Sequence, residues 1–464
     1  MSYQPPSEVY DEAFADDGRV RPVYAEVVGA LSRMDLAALA EAVAGEAAER
    51  GVCFVIDGVP ETFVLDPVPR LIAAEEWSLL ERGLAQRVRA LDHFVADVYS
   101  DQNIVSAGVV PKRALESCDH FEPRLVGLPP APVRIGVAGL DLVRGARGRF
   151  GVLEDNVRTP SGLAYALAAR ECVDAHLPSW LADSRRSLDQ ALDLLGRTLR
   201  SAAHQGVSDP TTVMLSDGPE NSAWYEHERL AHLLDIPIVS LDDLSVRGGR
   251  LVARYGRTRL RVDVLYRRTD EDRLSDESGD LTDVGAKLYE PMEKGTVTCV
   301  NAFGTGVADD KLIHAYVEDT IRFYLGEEPL LPSVRTYDPD VPEQRDDVLD
   351  RIDELVIKPR TGHGGHGVVV AAHAEEDDVR AVTAAVHADP ASFIAQETVM
   401  ISTHPTVIGD HLEPRHIDLR PFVFLADDEA HVAAGGLTRV ALERGALVVN
   451  SSQRGGGKDT WVMA

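Results

Sequence analysis

Lysine, cysteine and long apolar runs are what this sequence has least of. Lysine and arginine together number 47 in 464 residues, yet only six are lysine: Lys112, Lys287, Lys294, Lys311, Lys358 and Lys458. A lysine is therefore a marked residue here. The four cysteines, Cys53, Cys118, Cys172 and Cys299, show no CxxC spacing, which argues against a structural zinc site and a disulfide scaffold and favours a reducing compartment, the cytoplasm. No run approaches the roughly 18 apolar residues that a membrane span needs, and "MSYQPPSEVYDEAF" has neither the basic nor the apolar stretch of a secretory leader. Positive charge is also short. With 76 acidic residues the formal net charge is -29, which opposes attraction to nucleic-acid phosphates or anionic membranes.

What is present is the composition of a globular protein, 44% hydrophobic and 27% charged. At this length two or three domains are expected. Helical periodicity runs through 25–50, 75–100, 185–204 and 311–325, and "GVCFVIDG" reads as a short buried strand. Residues 206–240 read as strand, turn, helix, strand, a βαβ unit. Its loop "SDGPEN" follows the strand "TTVML", where parallel sheets bind ligands, so Asn221, Glu226 and His227 are candidates for substrate contact or, equally, ordinary capping residues.

The stretch "GVLEDNVRTPSG", 151–162, crowds two acids and an amide at a strand end. A two-residue turn at Arg147-Gly148 predicts a hairpin that pairs Val143 with Val152 and Asp141 with Glu154. Alternation then puts Glu154 and Asn156 on one face, joined by Asp141, with Asp155 on the other. Such an all-oxygen set suits Mg²⁺ held together with nucleotide phosphates. Read alone, it is also compatible with exposed acids at a turn.

A second stretch, "LVIKPRTGHGGHGVVV", sets Lys358 at the end of an apolar strand, before a loop holding Gly362, Gly364, Gly365 and Gly367. Backbone N–H groups in such a loop can approach phosphate oxygens closely, and the lysine supplies a point charge. Neither a P-loop nor a dinucleotide fingerprint has this order. "FIAQETV" reads as a strand running into a linker whose backbone can pair with an adenine edge. In "VNAFGTGVADDKLIHAYV", Lys311 opens a helix, an unfavourable place for a cation that a negative ligand relieves. Toward the end, Arg415, Asp418, Arg420, Arg439, Asn450 and Lys458 lie on or beside alternating strands, where arginines can clamp anions.

With "LDLV...VLEDNVRTPSG", "NAFGTGVADDK", "LVIKPRTGHGGHG", "AQETV", "RHIDLRPFV", "GGLTRVAL" and "VVNSSQRGGGKDTWV" in this order, the chain resembles the circularly permuted ATP-grasp family, and its motif order is similar to the glutathionylspermidine synthetase-like ligases. The permutation accounts for a metal site that precedes the lysines. The resemblance implies an α+β fold, a circularly permuted ATP-grasp with an N-terminal mixed α/β region (1–205) carrying the metal-binding hairpin, an inserted βαβ substrate domain (206–275) and a nucleotide-binding region (276–464). It implies ATP and Mg²⁺, with Asp141, Glu154 and Asn156 as metal ligands. It further implies Lys311, Lys358 and the loop Gly362 to Gly367 on the phosphates, and Gln396, Glu397 and Val399 at the adenine hinge. Arg439 is implied at the transferring phosphoryl group, with Arg158 and Lys458 as further catalytic residues, Arg158 orienting the acid substrate or supporting the metal loop, and Arg420 on the substrate. The activity implied is ATP-dependent joining of a small-molecule or peptide carboxylate to an amine through an acyl phosphate, Mg²⁺-dependent. Two other readings stand beside it: phosphoryl transfer without amine capture, and a nucleotide-binding regulatory protein that has lost catalysis.

Overall fold

The computed structural model describes residues 3–7, 9–56, 58–271, 273–361, 367–446 and 455–464. Its largest sheet has eight strands and mixes the two ends of the chain. The order is Leu65–Ile72, Gly456–Val462, Glu429–Val440, His411–Ala426, Asp141–Arg144 and Phe150–Glu154, and both Thr403–Ile408 and Val137–Gly139 also pair with His411–Ala426. Leu65–Ile72 runs parallel to Gly456–Val462, so the first long strand lies beside the last.

Period-two alternation along the 16-residue strand His411–Ala426 sends successive side chains to opposite faces. Phe422 and Phe424 join one core with Tyr165, Leu167, Leu195 and Trp461. Val423 and Leu425 join another with Trp77, Leu84, Leu91 and Phe94. The helices Leu163–Asp174 and Gln190–Ser201 supply the first core, and the 25-residue helix Ala74–Val98 supplies the second. The sheet is thus the middle layer of three.

A parallel four-stranded sheet has the order Thr298–Val300, Val264–Arg268, Thr212–Ser216, Ile238–Val239, with the helix Trp224–Leu234 between its last two strands. The expected βαβ unit is present, and the sheet takes one strand from beyond residue 275. A third sheet, Thr336–Tyr337, Phe393–Glu397, Leu355–Pro359, Val369–Val370, carries the lysine strand and the hinge strand side by side. Its core is Tyr337, Val348, Ile352, Leu355, Ile357 and Ala395.

Three expectations about helices and strands are corrected. The helical stretch 25–50 is broken into Ala25–Leu31 and Leu36–Glu49, because the Asp35 side chain accepts from the Ala38 N–H and starts a new helix. The stretch 311–325 is divided into Lys311–His314 and Val317–Leu325. Cys53–Ile56 is half-buried rather than buried, as one strand of a hairpin with Val59–Thr62. The four cysteines are free thiols. Among the described residues no helix is long and apolar enough to cross a membrane.

Lys458 belongs to this scaffold. It lies opposite Thr438 while its neighbour Gly457 lies opposite Arg439, so alternation points the Lys458 and Arg439 side chains to opposite faces. The fully buried Lys458 ammonium donates to Asp66 and, at 3.0 Å, to the Pro405 carbonyl. Asp66 also accepts from the Val68 and Val407 N–H groups. Replacing Lys458 by methionine leaves that carboxylate buried without its counter-ion, and urea unfolding should register a loss of about 3–5 kcal/mol.

Candidate nucleotide and metal site

The hairpin Asp141–Arg144/Phe150–Glu154 places Asp141 directly opposite Glu154. Val143, however, lies opposite Gly151 rather than Val152. An irregularity between Asp141 and Leu142 absorbs one residue, and it restores the Asp141–Glu154 pairing despite the shifted register. Gly148 sits at φ +70° in the turn, where a side chain would be strained and would run into Tyr10.

Beyond the strand, every residue of the turn is tied down from a different part of the chain. Glu154 accepts from the Lys358 ammonium at 3.4 Å. Asp155, fully buried, takes Arg87 Nε at 2.6 Å and Nη2 at 2.8 Å, and His314 Nδ1 lies 2.7 Å from its other side. The Asn156 carbonyl accepts from the Gly139 N–H, while its side-chain Nδ2 is buried with no partner among the described residues. Val157 donates to Asp309 and accepts from Asn301 Nδ2 at 2.6 Å. Arg158 donates from its backbone at 3.1 Å and from Nε at 2.8 Å to the same Asp309 carboxylate.

Lys311 and Lys358 arrive at this turn from separate segments. Lys358 is buried at the end of Leu355–Pro359, and Lys311 begins the short helix whose N-cap, Asp310, accepts from Leu312 N–H. Lys311 Nζ reaches the Arg360 carbonyl at 3.4 Å. Burial pulls its ammonium below the ordinary value; Glu154 and Asp310 favour the charge, whereas Lys358 and Arg158 oppose it. The four groups Lys311, Lys358, Arg158 and Glu154 therefore share one electrostatic neighbourhood. Arg360, buried, anchors the arrangement by donating to both Asp310 oxygens, at 2.8 and 2.9 Å.

Gln396 lies beside this edge, donating from Nε2 to the Leu153 carbonyl at 3.3 Å and to Thr336 Oγ1 at 2.9 Å. Glu397 points away, bound by Arg351 at 3.0 Å and by Tyr337 at 2.5 Å. Val399 packs with Leu153, Val143, Val334 and Ile401. Of the glycine loop, Gly362, Gly364 and Gly365 lie outside the described residues, as does Asn450. Gly367 sits at φ +72°, and a Cβ there would stand 2.8 Å from Pro359.

Asp141 faces a second charged group. Arg420 donates to it at 2.7 and 2.8 Å, Arg439 lies at 2.9 Å, and Arg439 Nε also donates to Asp418 at 2.9 Å. Arg420 reaches on to the Ser161 carbonyl at 3.2 Å. Asn221, Glu226 and His227, the candidates for substrate contact, are buried, each with partners inside the protein. Glu226 accepts from the Gly162 and Ala164 N–H groups, capping Leu163–Asp174, and pairs with Arg268 at 2.9 Å. His227, pulled down to about 2 by burial and by Arg268, is neutral beside Ser216. Asn221 bonds Asp270 and the Ala223 N–H.

The donor set fits a hard cation in part. Glu154 offers a carboxylate with spare capacity, its side chain being 38% exposed, and Asn156 adds an amide beside it, whereas Asp141 is engaged by two arginines. Among the described residues no group of three His, Cys, Asp or Glu side chains is arranged to hold a metal. Residues missed in the sequence are Arg87, His314, Asn301, Asp309, Asp310 and Arg360. Only Arg87 carried a signal, since it falls three residues after Leu84 and seven after Leu80, on the apolar stripe.

The lysine strand Leu355–Pro359 and the strand Phe393–Glu397 thus lie side by side, and Lys358 meets the acidic hairpin at Glu154. The model of the family described as circularly permuted ATP-grasp type 2 matches residues 69–441, and the chain belongs to that family. A Mycobacterium leprae protein with no assigned function is 42% identical, over 99% of this chain and 83% of that protein. A Synechocystis protein, also without an assigned function, is 41% identical over 100% of this chain and 98% of its own length. A Frankia casuarinae protein named "Putative glutamate--cysteine ligase 2-2" is 42% identical over 99% of this chain, which spans 54% of that protein. A solved structure of a glutathione synthetase-like effector from Globodera pallida, in the apo form, superposes with a TM-score of 0.61 at 12% identity, covering 92% of this chain and 97% of that one. This likeness is one of fold.

Burial pushes the Asp141 carboxyl up, but Arg420 and Arg439 outweigh it and hold the group below its ordinary value. A carboxyl depressed by folding contributes stability that is present above its unfolded value and is lost as pH falls through the folded one. The urea midpoints of the wild type and Asp141→Asn should differ most near about pH 6 and converge between about pH 4 and pH 2. A gap that stays constant over that range contradicts the pairing.

Proposed function

We propose that the protein is an ATP-dependent ligase that joins a carboxylate to an amine. The observation that carries this reading is the convergence of Lys311 and Lys358, from two separate segments, on the Glu154 end of the acidic hairpin. Two lysines with Arg158 form a cationic rim suited to a triphosphate, and their mutual repulsion is a cost that a polyanion relieves. In this reading Glu154 and Asn156 hold Mg²⁺, which when bound neutralises triphosphate charge. Gln396 and the backbone to Val399 border the adenine, and Gly367 closes the described end of the phosphate loop.

The chemistry follows from these positions. A substrate carboxylate oxygen bonds to the γ-phosphorus as the bond to ADP breaks, and an amine nitrogen then displaces phosphate from the acyl carbon. Neither step needs a nucleophilic side chain, so the work of the protein is to position the reactants and neutralise charge. Arg158 and Arg439 are the proposed donors to the transferring phosphoryl group, and Arg420 the proposed partner of the substrate carboxylate. The name of the Frankia relative supports amide formation, although this chain spans half of that protein.

The test is incubation with Mg-ATP and pools of amino acids and small acids, with hydroxylamine to intercept an acyl phosphate. ADP release with hydroxamate formation is expected for the correct pool; nucleotide binding with no pool raising ADP release overturns the proposal. In the same assay Glu154→Ala and Lys358→Ala should each lower turnover by about 10²-fold or more, while circular dichroism and thermal melting show a folded protein. Near-normal turnover in either variant contradicts the site.

A further inference from the structure

Asp155 stands between the two proposed metal ligands, yet its carboxylate is turned into the protein. Three elements meet on it. The middle of the helix Ala74–Val98 brings Arg87, whose side chain is completely buried and which also donates to Ser333 Oγ at 2.9 Å. The last residue of Lys311–His314 brings His314, three positions after Lys311. The strand end brings Asp155 itself. Arg87 is bidentate, the geometry that fixes a carboxylate plane as well as its charge.

The proton positions follow from donor chemistry. An ionised carboxylate only accepts, so the 2.7 Å contact requires the proton on His314 Nδ1, which donates to Asp155 Oδ2. Arg87 Nη2, 3.3 Å from the same Nδ1, is then a neighbouring donor rather than a partner. His314 Nε2 is buried with no partner among the described residues. The ring thus makes a single polar bond by its Nδ1 side, and that bond is to Asp155. One carboxylate thus ties the strand end between Glu154 and Asn156 to the last residue of the short helix that Lys311 opens.

We infer that Arg87 and His314 are positioning residues, which act through Asp155 to lock the Glu154–Asn156 edge in register with Lys311, so that metal and phosphate are bound as a unit. The inference rests on the nucleotide reading above. Buried partners that orient ligating groups are worth roughly 10- to 100-fold in metal affinity, and here the effect falls on the coupling between cation and nucleotide. A residue that only supports the fold changes the melting temperature and leaves this coupling intact.

The variants His314→Leu and His314→Asn have the same shape, but only asparagine carries an N–H near the place of Nδ1. Titrating ADP into each by calorimetry, once with excess Mg²⁺ and once in EDTA, isolates the gain in affinity that Mg²⁺ confers. The leucine variant should lose roughly 10- to 100-fold of that gain, with a much smaller change in EDTA, and the asparagine variant should recover most of it. Equal loss in both variants, or loss in neither, overturns the positioning role. If the leucine variant does not fold, Arg87→Lys replaces it, since it keeps the charge and breaks the bidentate pair; a wild-type Mg²⁺ response in that variant likewise overturns the inference. Failure of wild-type protein to bind ADP under either condition overturns the nucleotide reading itself.

Discussion

The strand His411–Ala426 is the constraint on which the remaining architecture depends. Its backbone pairs on one side with Glu429–Val440 and on the other with Thr403–Ile408, Val137–Gly139 and Asp141–Arg144. Segments nearly 300 residues apart are thereby held at hydrogen-bond distance, and the acidic hairpin is fastened to the sheet through Asp141–Arg144, with Phe150–Glu154 as the edge strand. Long-range pairing of this kind is costly in chain entropy before it is rewarded by packing. The apolar alternation of Phe422, Val423, Phe424 and Leu425, which feeds two cores at once, is what offsets that cost.

On this support the charged residues form three groups. Asp141 with Arg420, Arg439 and Asp418 forms one, and Asp155 with Arg87 and His314 forms another, both buried. Glu154 with Lys311, Lys358 and Arg158 forms the third. In the first two each carboxylate already meets a counter-ion, and such pairs are expensive to break one partner at a time. The third holds the exposed carboxylate, Glu154.

The sequence disclosed the residues around Asp141 and Glu154 and concealed the partners of Asp155, for reasons that can be named. Lys358 followed by glycines, and Glu154 with Asn156 at a strand end, are local patterns whose meaning survives without tertiary context. The register of the hairpin was legible as far as Asp141 opposite Glu154, while the irregularity beside Leu142 left no mark, because alternation reads the same until the bulge. His314, Asp309 and Arg360 look like ordinary polar residues of a helix or loop, and only the packing of distant segments gives them partners. Glu226 shows the same limit: the loop after a parallel strand marks it in the sequence, while its partners, the Gly162 and Ala164 N–H groups and Arg268, are visible only in the fold.

That acid has a wider consequence. The amino end of Leu163–Asp174 is where the helix dipole and free N–H groups would welcome an anion, immediately behind the Arg158–Ser161 turn. Glu226 fills that berth with a carboxylate from the helix Trp224–Leu234, and Arg268 pairs with it at 2.9 Å. The two N–H groups at this helix end are therefore already taken. One carboxylate thus acts as a rivet between the Arg158–Ser161 turn and the parallel sheet, so that neither can shift without the other.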